Sequence, residues 1–247
     1  MTEVPDYSGF AKSYSASRPG YPSELFAWLA SVVRRREFAW DTATGNGQAA
    51  VGLAVHFDRV IGTDTSEAQI AHAKGHPRVE YRVARAEDSC LLSGSADLVV
   101  AASALHWFDL PAFYQEVQRV ARRGCVLAAW SYHVARVEAP FDDVLWSFYR
   151  DIVQPYFSAG ARLVDDRYEG IVLPGRELKS PPFMMSVNWT ASELLGFVRT
   201  WSGVQSYIEA NGEDPVSFLA PQIEGMGGSS ISRYVIRWPL YLRASIL

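Results

Sequence analysis

Between Glu37 and Trp130, short β-branched runs alternate with segments whose apolar residues recur at helical spacing. This alternation restricts the fold more than any other feature. Glu37 to Thr42, Arg59 to Asp64, Val79 to Val83, Ala96 to Ala102 and Cys125 to Trp130 read as strands. Gln48 to Val55, Ser66 to Ala73 and Pro111 to Arg122 read as helices, the last with Phe113, Val117 and Val120 on one face. Strands and helices alternating at this pitch build βαβ units, and therefore a mostly parallel sheet covered by helices on both faces.

The second half is less regular. Phe141 to Tyr156 reads as an aromatic-rich helix, and Ser158 to Pro182, punctuated by Gly and Pro, as an irregular excursion. Phe183 to Trp189 reads as a strand, Ala191 to Trp201 as a helix capped by Thr190, Gly225 to Ser230 as a loop, and Arg233 to Arg243 as a last strand. Two late strands added to five parallel ones predict a seven-stranded sheet with a hairpin-like edge.

Bulk properties exclude several classes of function. With 49% hydrophobic and 20% charged residues in 247, the chain can build an ordinary globular core. A net charge of −4 offers no basic excess for a phosphate backbone, so no nucleic-acid partner is expected, and Arg34-Arg35-Arg36 reads as a solvated helix end. Cys90 and Cys125 lie in apolar stretches without neighbours at metal spacing, and read as buried thiols of a reducing compartment. The first residues, MTEVPDYSGF, lack a basic and apolar leader, and no 18-residue apolar run occurs, so a cytoplasmic protein without a membrane partner is expected.

The stretch that carries chemistry is WDTATGNGQAA, from Trp40 to Ala50. A strand ends near Asp41, Gly45 and Gly47 permit a tight turn with close ligand approach, and a helix opens at Gln48. Asp64 closes the next strand, where a carboxylate accepts ribose hydroxyls. A dinucleotide fingerprint wants a third glycine, where this chain has Ala50. The carboxylate of Asp41 beside the loop also suits a cationic cofactor, such as S-adenosylmethionine (SAM), better than the pyrophosphate of a nicotinamide dinucleotide.

The ordered blocks DTATGNGQAA, IGTDTSEAQI, VEYRVARAEDS, DLVVAASALHWFD and EVQRVARRGCVLAAWSY resemble the class I SAM-dependent methyltransferases, and in particular the subgroup of the trans-aconitate methyltransferases. SYSASRPGYP, TWSGVQSYIEANGEDPV and VIRWPLYLRA extend the resemblance over nearly the whole chain. One departure is Thr42-Ala43-Thr44, where a small residue, Gly and Cys are commoner. The resemblance implies a Rossmann-like α/β fold forming one domain over residues 1–247. Within it, 1–30 form an N-terminal helical lid, 31–135 a SAM-binding half and 136–247 an acceptor-pocket half.

The same resemblance assigns roles to individual residues. Gly45, Gly47 and Thr44 wrap the methionyl part of SAM, and Asp41 either lies near its ammonium or braces the loop. Asp64 holds the ribose, with Thr65 and Gln69 following it, while Ser66 reads equally as a helix cap. Ala86 and Glu87 bind the adenine edge, and a carbonyl of Ala102 or Ser103 lies under the sulfonium. His106-Trp107-Phe108 sits between the cofactor and acceptor pockets. His106 is either a general base or a wall residue, and Trp107 either faces the sulfonium or packs. Tyr14, Arg18 and Tyr21, with Tyr7 a weaker candidate, belong to the lid, and Arg18 offers a fork for a carboxylate of SAM or of the acceptor. Trp130, Tyr132, Trp146, Tyr149 and Trp201 are candidates for the pocket lining.

The expected activity is methyl transfer to a carboxylate-bearing small molecule. The alternatives are intramolecular cyclisation of SAM to azetidine-2-carboxylate and methylthioadenosine, or SAM binding without catalysis. No metal is expected, and the chain is expected to be a monomer or homodimer.

Overall fold

The computed structural model describes residues 19–226 and 232–247. Its first five strands are β1 (Phe38–Thr42), β2 (Arg59–Asp64), β3 (Val79–Val83), β4 (Ala96–Ala102) and β5 (Ala121–Tyr132). They pair in parallel in the order β3-β2-β1-β4-β5. From β1 the chain steps outward to β3, then crosses back to β4 on the other side. The carboxyl ends of β1 and β4 therefore flank the switch point at which open α/β sheets bind ligands.

Alternate residues of these strands serve opposite faces, as a two-residue period requires. Ala39, Val60, Leu98, Val100, Val126 and Ala128 enter one apolar cluster; Trp40, Ile61, Val99, Ala101, Leu127 and Ala129 enter the other. Both sides are covered, which is why VVAA and VLAAW read as unbroken apolar runs.

Three further strands complete the sheet: β6 (Arg176–Leu178), β7 (Phe183–Thr190) and β8 (Arg233–Ile246). The long β8 pairs antiparallel with β5 through Leu240–Ile246 and with β7 through Arg233–Leu240. Among the described residues the sheet has eight strands rather than the seven expected. The extra one, β6, lies in the segment expected to be irregular. It pairs with Ala244–Ile246, and at three residues it is too short to show an alternation of its own.

Among the helices, α1 (Ser23–Val32) buries Leu25, Phe26, Leu29 and Ala30. Each fully buried leucine or phenylalanine stabilises by roughly 1.5–3 kcal/mol. Residues 23–30 of the expected lid segment are therefore a packed layer of the core; residues 1–18, with Tyr7, Tyr14 and Arg18, lie outside the described residues. Next come α2 (Gln48–Ala54), α3 (Glu67–Ala71) and α4 (Leu110–Val120). Asp109 caps α4 by accepting from the Ala112 amide at 3.2 Å, and Phe113, Val117 and Val120 face the core as expected.

The expected helix from Phe141 to Tyr156 is shorter. Its regular part, α5, covers Phe141–Phe148, followed by a wide π-type turn at Tyr149–Val153 and a 3-10 turn at Gln154–Tyr156. Pro155 has no N–H to continue an α-helical ladder. A single turn, α6 (Arg162–Asp165), falls within the excursion. Thr190 caps α7 (Ala191–Arg199) through a reciprocal pair with Glu193, and α8 (Ser202–Asn211) and α9 (Val216–Met226) follow.

Two smaller readings resolve differently. Arg36 ends α1 by donating from Nε to the Ala30 carbonyl at 2.8 Å, as a helix-end arginine should. Cys125 is buried as expected, but Cys90 is exposed, because its loop turns outward through a left-handed residue at φ 55°. Next to it, Ser89 donates from its amide at 2.8 Å and from its hydroxyl to Oε1 of Glu116, while Arg119 donates to Oε2 at 2.7 Å. Arg119 first, then Ser89, holds the Glu116 carboxyl down at about 2 against the cost of its burial.

Candidate active site

The turn after β1 is tied to β2, its neighbour in the sheet. The Thr44 amide donates to the Thr63 carbonyl at 2.8 Å, and the Gly45 amide to Oδ2 of Asp64 at 2.8 Å. Gly45 and Gly47 adopt φ of 54° and 81°, the left-handed region that disfavours a side chain. At Gly47 a Cβ would also stand 2.0 Å from the Tyr81 hydroxyl oxygen. Tyr81, absent from the sequence reading, roofs the turn and donates to the Lys74 carbonyl at 2.8 Å. Ala43 takes a φ of 48° in the Thr42-Ala43-Thr44 departure, so this turn bends left-handed before its first glycine.

Asp41 is fully buried at the end of β1. Its Oδ2 accepts from the Thr44 hydroxyl at 2.5 Å, and its Oδ1 has no partner among the described residues. Burial pushes this carboxyl up to about 7; the Thr44 hydroxyl opposes the rise and the Asp64 charge adds to it. Asp64 accepts from Gly45 on one oxygen and from the Ser66 amide, at 2.9 Å, on the other. Each oxygen keeps a second lone pair for a ligand hydroxyl. Ser66 caps α3, accepting from the Gln69 amide at 3.2 Å, and Thr65 is exposed in the bend before it.

Three buried polar atoms around this turn lack partners among the described residues: Asp41 Oδ1, Gln69 Oε1 and Asn46 Nδ2. A buried polar atom left unpaired costs about 1–3 kcal/mol, so such a set marks a place for a ligand. Two acceptors and one donor, beside two carboxylates, suit a ligand that brings a cationic donor, hydroxyls and one acceptor group. A pyrophosphate would add negative charge and further acceptors to a rim that is already acidic. SAM, with its ammonium, ribose hydroxyls and carboxylate, fits this donor set.

Ala86 and Glu87 form the corners of a turn closed by the Asp88 amide donating to the Arg85 carbonyl at 3.3 Å. Oε1 of Glu87 accepts from the Asp109 amide at 3.1 Å, and Oε2 stands 3.4 Å from Arg85. The Glu87 side chain thus braces the start of α4. Ala102 ends β4 opposite Trp130. Ser103 then turns the chain at φ 54°, its amide donating to the Trp130 carbonyl at 2.7 Å and its hydroxyl 3.3 Å from that of Tyr21.

Beyond Ser103 lies a cavity of about 140 Å³, walled by Ser103, His106 and Trp107 on one side and by Tyr132, His133, Tyr149, Phe157, Asp165, Phe197 and Trp201 around the rest. His106 sits in a 3-10 turn, Leu105–Trp107, with Nδ1 2.9 Å from the Tyr168 hydroxyl. Burial pulls its pKa down to about 4. Its carbonyl packs on Gly160, where a Cβ would come within 2.3 Å of the oxygen. His106 thus lines the cavity with its Nδ1 beside the Tyr168 hydroxyl. Of the aromatic candidates, Tyr132, Tyr149 and Trp201 line the cavity. Trp146 stacks on His133 at 5.1 Å, whereas Trp130 is fully buried in the core.

The sequence reading missed the polar cluster in this wall. His133 Nε2 lies 2.5 Å from Oδ1 of Asp165, which also accepts from the Tyr149 hydroxyl; Gln154 donates to Oδ2 at 3.1 Å. Burial pushes the Asp165 carboxyl up, but His133, Tyr149 and Gln154 together hold it below its ordinary value. No local pattern links positions 133 and 165; only the fold brings the end of α6 to the residue that follows β5. Among the described residues no group of three His, Cys, Asp or Glu side chains is placed to hold a metal, and no helix is long and apolar enough to cross a membrane.

The fold and this crevice define an α/β enzyme that takes an adenosyl cofactor at the switch point of a parallel sheet. The family model of a methyltransferase domain matches residues 40–129. A Dictyostelium discoideum protein described as a methyltransferase is 36% identical over 217 residues, covering 84% of this chain and 81% of the relative. The SAM-dependent methyltransferase CRG1 of Saccharomyces cerevisiae is 24% identical over 239 residues, covering 82% of each chain. The structure of an Anaeromyxobacter dehalogenans protein described as a type II methyltransferase superposes with a TM-score of 0.86 at 39% identity, over 93% of this chain and 97% of that one. The chain belongs to the class I SAM-dependent methyltransferases. It is an enzyme, and SAM is its cofactor.

Proposed function

We infer that this methyltransferase acts on a small, largely apolar acceptor seated in the cavity between Ser103 and Trp201. One observation carries the reading: the cavity begins at the carboxyl end of β4, and Trp107, Tyr132, Tyr149, Phe157, Phe197 and Trp201 are among its walls. When bound, SAM supplies a methyl group already activated on a sulfonium. The residues present then have three tasks. Asp41, Asn46, Gly45, Gly47, Asp64 and Gln69 hold the cofactor, Ser103 and Trp107 border both ligands, and the aromatic walls exclude water and orient the acceptor. Holding reacting atoms about 3–3.5 Å apart supplies roughly 7–11 kcal/mol of barrier lowering in such displacements.

The resemblance to trans-aconitate methyltransferases favours a carboxylate acceptor, with Arg18 as its partner. The cavity walls favour a different one. Among the described lining residues none is Arg or Lys, and Asp165 contributes a negative charge. A free carboxylate in this cavity would face a carboxylate without a paired cation, which is costly away from water. The described residues therefore support a neutral acceptor. The test is a mass-spectrometric assay of the protein with SAM and a panel of phenols, amines and carboxylic acids. S-adenosylhomocysteine with a methylated small molecule is expected. Its absence with every acceptor overturns the proposal, and methylthioadenosine as the product would point to cyclisation instead.

A further inference from the structure

We propose that the arginines gathered at the amino end of the sheet form a binding site for a compact phosphate-class anion, remote from the cofactor turn. The site is a second cavity, of about 220 Å³, lined by Arg34, Arg35, Arg122, Arg123, Asp97 and Gly124. Arg34 and Arg35 follow the end of α1, Asp97 enters β4, and Arg122 and Arg123 begin β5. The cavity therefore occupies the end of the sheet opposite the carboxyl ends of β1 and β4, where the cofactor turn sits.

Two carboxylates reach these arginines, and both are already engaged. Oδ1 of Asp97 accepts from Nη1 of Arg122 at 2.8 Å, and its Oδ2 accepts from the amides of Glu37 and Phe38 at 3.0 and 3.1 Å. Glu37 accepts from the same Arg122 nitrogen at 2.9 Å and stands 3.5 Å from Arg35. Leu247 accepts from the Gly124 amide at 2.9 Å but lies outside the lining. Cys125, also in the lining, stays an uncharged thiol because burial pushes it up to about 12. Arg34 and Arg123 have no hydrogen-bond or ion-pair partner among the described residues. Two positive charges are thus left uncompensated around one cavity.

The sequence builds this arrangement locally. Of the run Arg34-Arg35-Arg36, Arg36 serves the end of α1 through the Ala30 carbonyl. Arg34 is instead laid across Gly124: a Cβ there would stand 3.3 Å from both Cδ and Nε of Arg34, at a φ of 84° that disfavours any side chain. The missing side chain gives the Arg34 stem its place over the start of β5, which supplies Arg122 and Arg123. Like charges held around one space repel, and an anion between them relieves the repulsion. Each guanidinium also offers paired N–H donors that match phosphate oxygens. A cavity of about 220 Å³ is smaller than the roughly 300–1,000 Å³ that larger organic ligands occupy, which restricts it to phosphate or diphosphate, free or carried by a small molecule. A long polyanion would want an extended basic stripe, and the chain as a whole carries a net charge of −4.

Diphosphate is the probe, added with SAM saturating so that the cofactor turn is closed to it, and at constant ionic strength set with NaCl. Titration calorimetry and melting curves compare the wild type with the double variant Arg34→Gln/Arg123→Gln. A second double variant, Arg150→Gln/Arg233→Gln, removes the same charge from exposed positions elsewhere. Diphosphate at about a hundred times its Kd should raise the melting temperature of the wild type by roughly 5–10 °C. Binding to Arg34→Gln/Arg123→Gln should be weaker by at least about tenfold, and binding to the other double variant unchanged. SAM affinity without diphosphate should be equal in all three proteins, which reports an intact fold. Arg123→Gln alone changes an exposed side chain, leaves the packing of Arg34 untouched, and should lose part of the same affinity.

No binding of diphosphate to the wild type, equal weakening in both double variants, or binding undiminished by the loss of Arg34 and Arg123 would overturn the proposal. Binding of anionic lipid vesicles or DNA in place of diphosphate would overturn it as well.

Discussion

Replacing Asp41 with Asn should make the free protein more stable and the cofactor bind worse. In the folded chain the Asp41 carboxyl keeps its proton up to about pH 7, because burial disfavours the charge, whereas in the unfolded chain it releases it near 3.8. Between those values the unfolded state binds fewer protons, so stability falls as pH rises through the window and levels off above it. The full difference is about 4 kcal/mol, at about 1.36 kcal/mol per pH unit. About 3 kcal/mol of it is lost between roughly pH 5 and pH 8. Asn cannot ionise, but its NH₂ in place of Oδ1 adds a buried donor costing about 1–3 kcal/mol.

The absolute gain near pH 8 is therefore only about 1–3 kcal/mol, and the change with pH is the sharper signal. At about 2–4 °C per kcal/mol for a chain of this size, the wild type should lose roughly 5–10 °C more than Asp41→Asn between the two pH values. Calorimetry at both pH values measures this. A cation beside Oδ1 favours the ionised form, so SAM affinity of the wild type should rise toward pH 7, by up to about tenfold per pH unit. In the variant it should stay flat. Parallel melting and binding profiles for the two proteins would refute the claim that this carboxyl is held protonated to receive a cation.

Other consequences can be checked separately. Gly47→Ala places a methyl group 2.0 Å from the Tyr81 hydroxyl at a φ of 81°, and titration calorimetry should show SAM binding weakened at least about tenfold, given that left-handed backbone alone costs roughly 1–2 kcal/mol. Glu116, held down at about 2, contributes stability that is complete above about 4.5 and is lost as pH falls toward 2. Acid titration of Glu116→Gln should show a protein up to about 3 kcal/mol weaker at neutral pH, with the gap closing through that window. His106→Gln should retain turnover within about threefold, because a ring bonded to Tyr168 and pulled down to about 4 takes no proton. A hundredfold fall in kcat would make His106 the general base.

What the sequence determined by itself is local. The alternation of β-branched runs and helical stripes is decided by neighbours a few residues apart, so five parallel strands and the helices between them were legible with ends misplaced by a few residues. The turn proposed to hold the cofactor was legible as a turn for the same reason, because Asp41, Gly45, Gly47 and Asp64 lie at or just beyond the ends of adjacent strands. Tyr81 and Asn46 escaped notice: one reaches the turn from β3, and the other carries no sign of burial in its own neighbourhood.

The acceptor side was decided only by tertiary structure. Phe141 to Tyr156 reads as one helix, yet Pro155 and the π-type turn break it where Tyr149 meets Asp165. β6 exists only because Ile246 lies beside it. His133 and Asp165 stand 32 positions apart and meet only in the folded chain, which no periodicity encodes. A strand pattern repeats along the chain and so can be read from it. A polar pair in a cavity wall depends on which surfaces happen to close on each other, and that is settled only when the chain has folded.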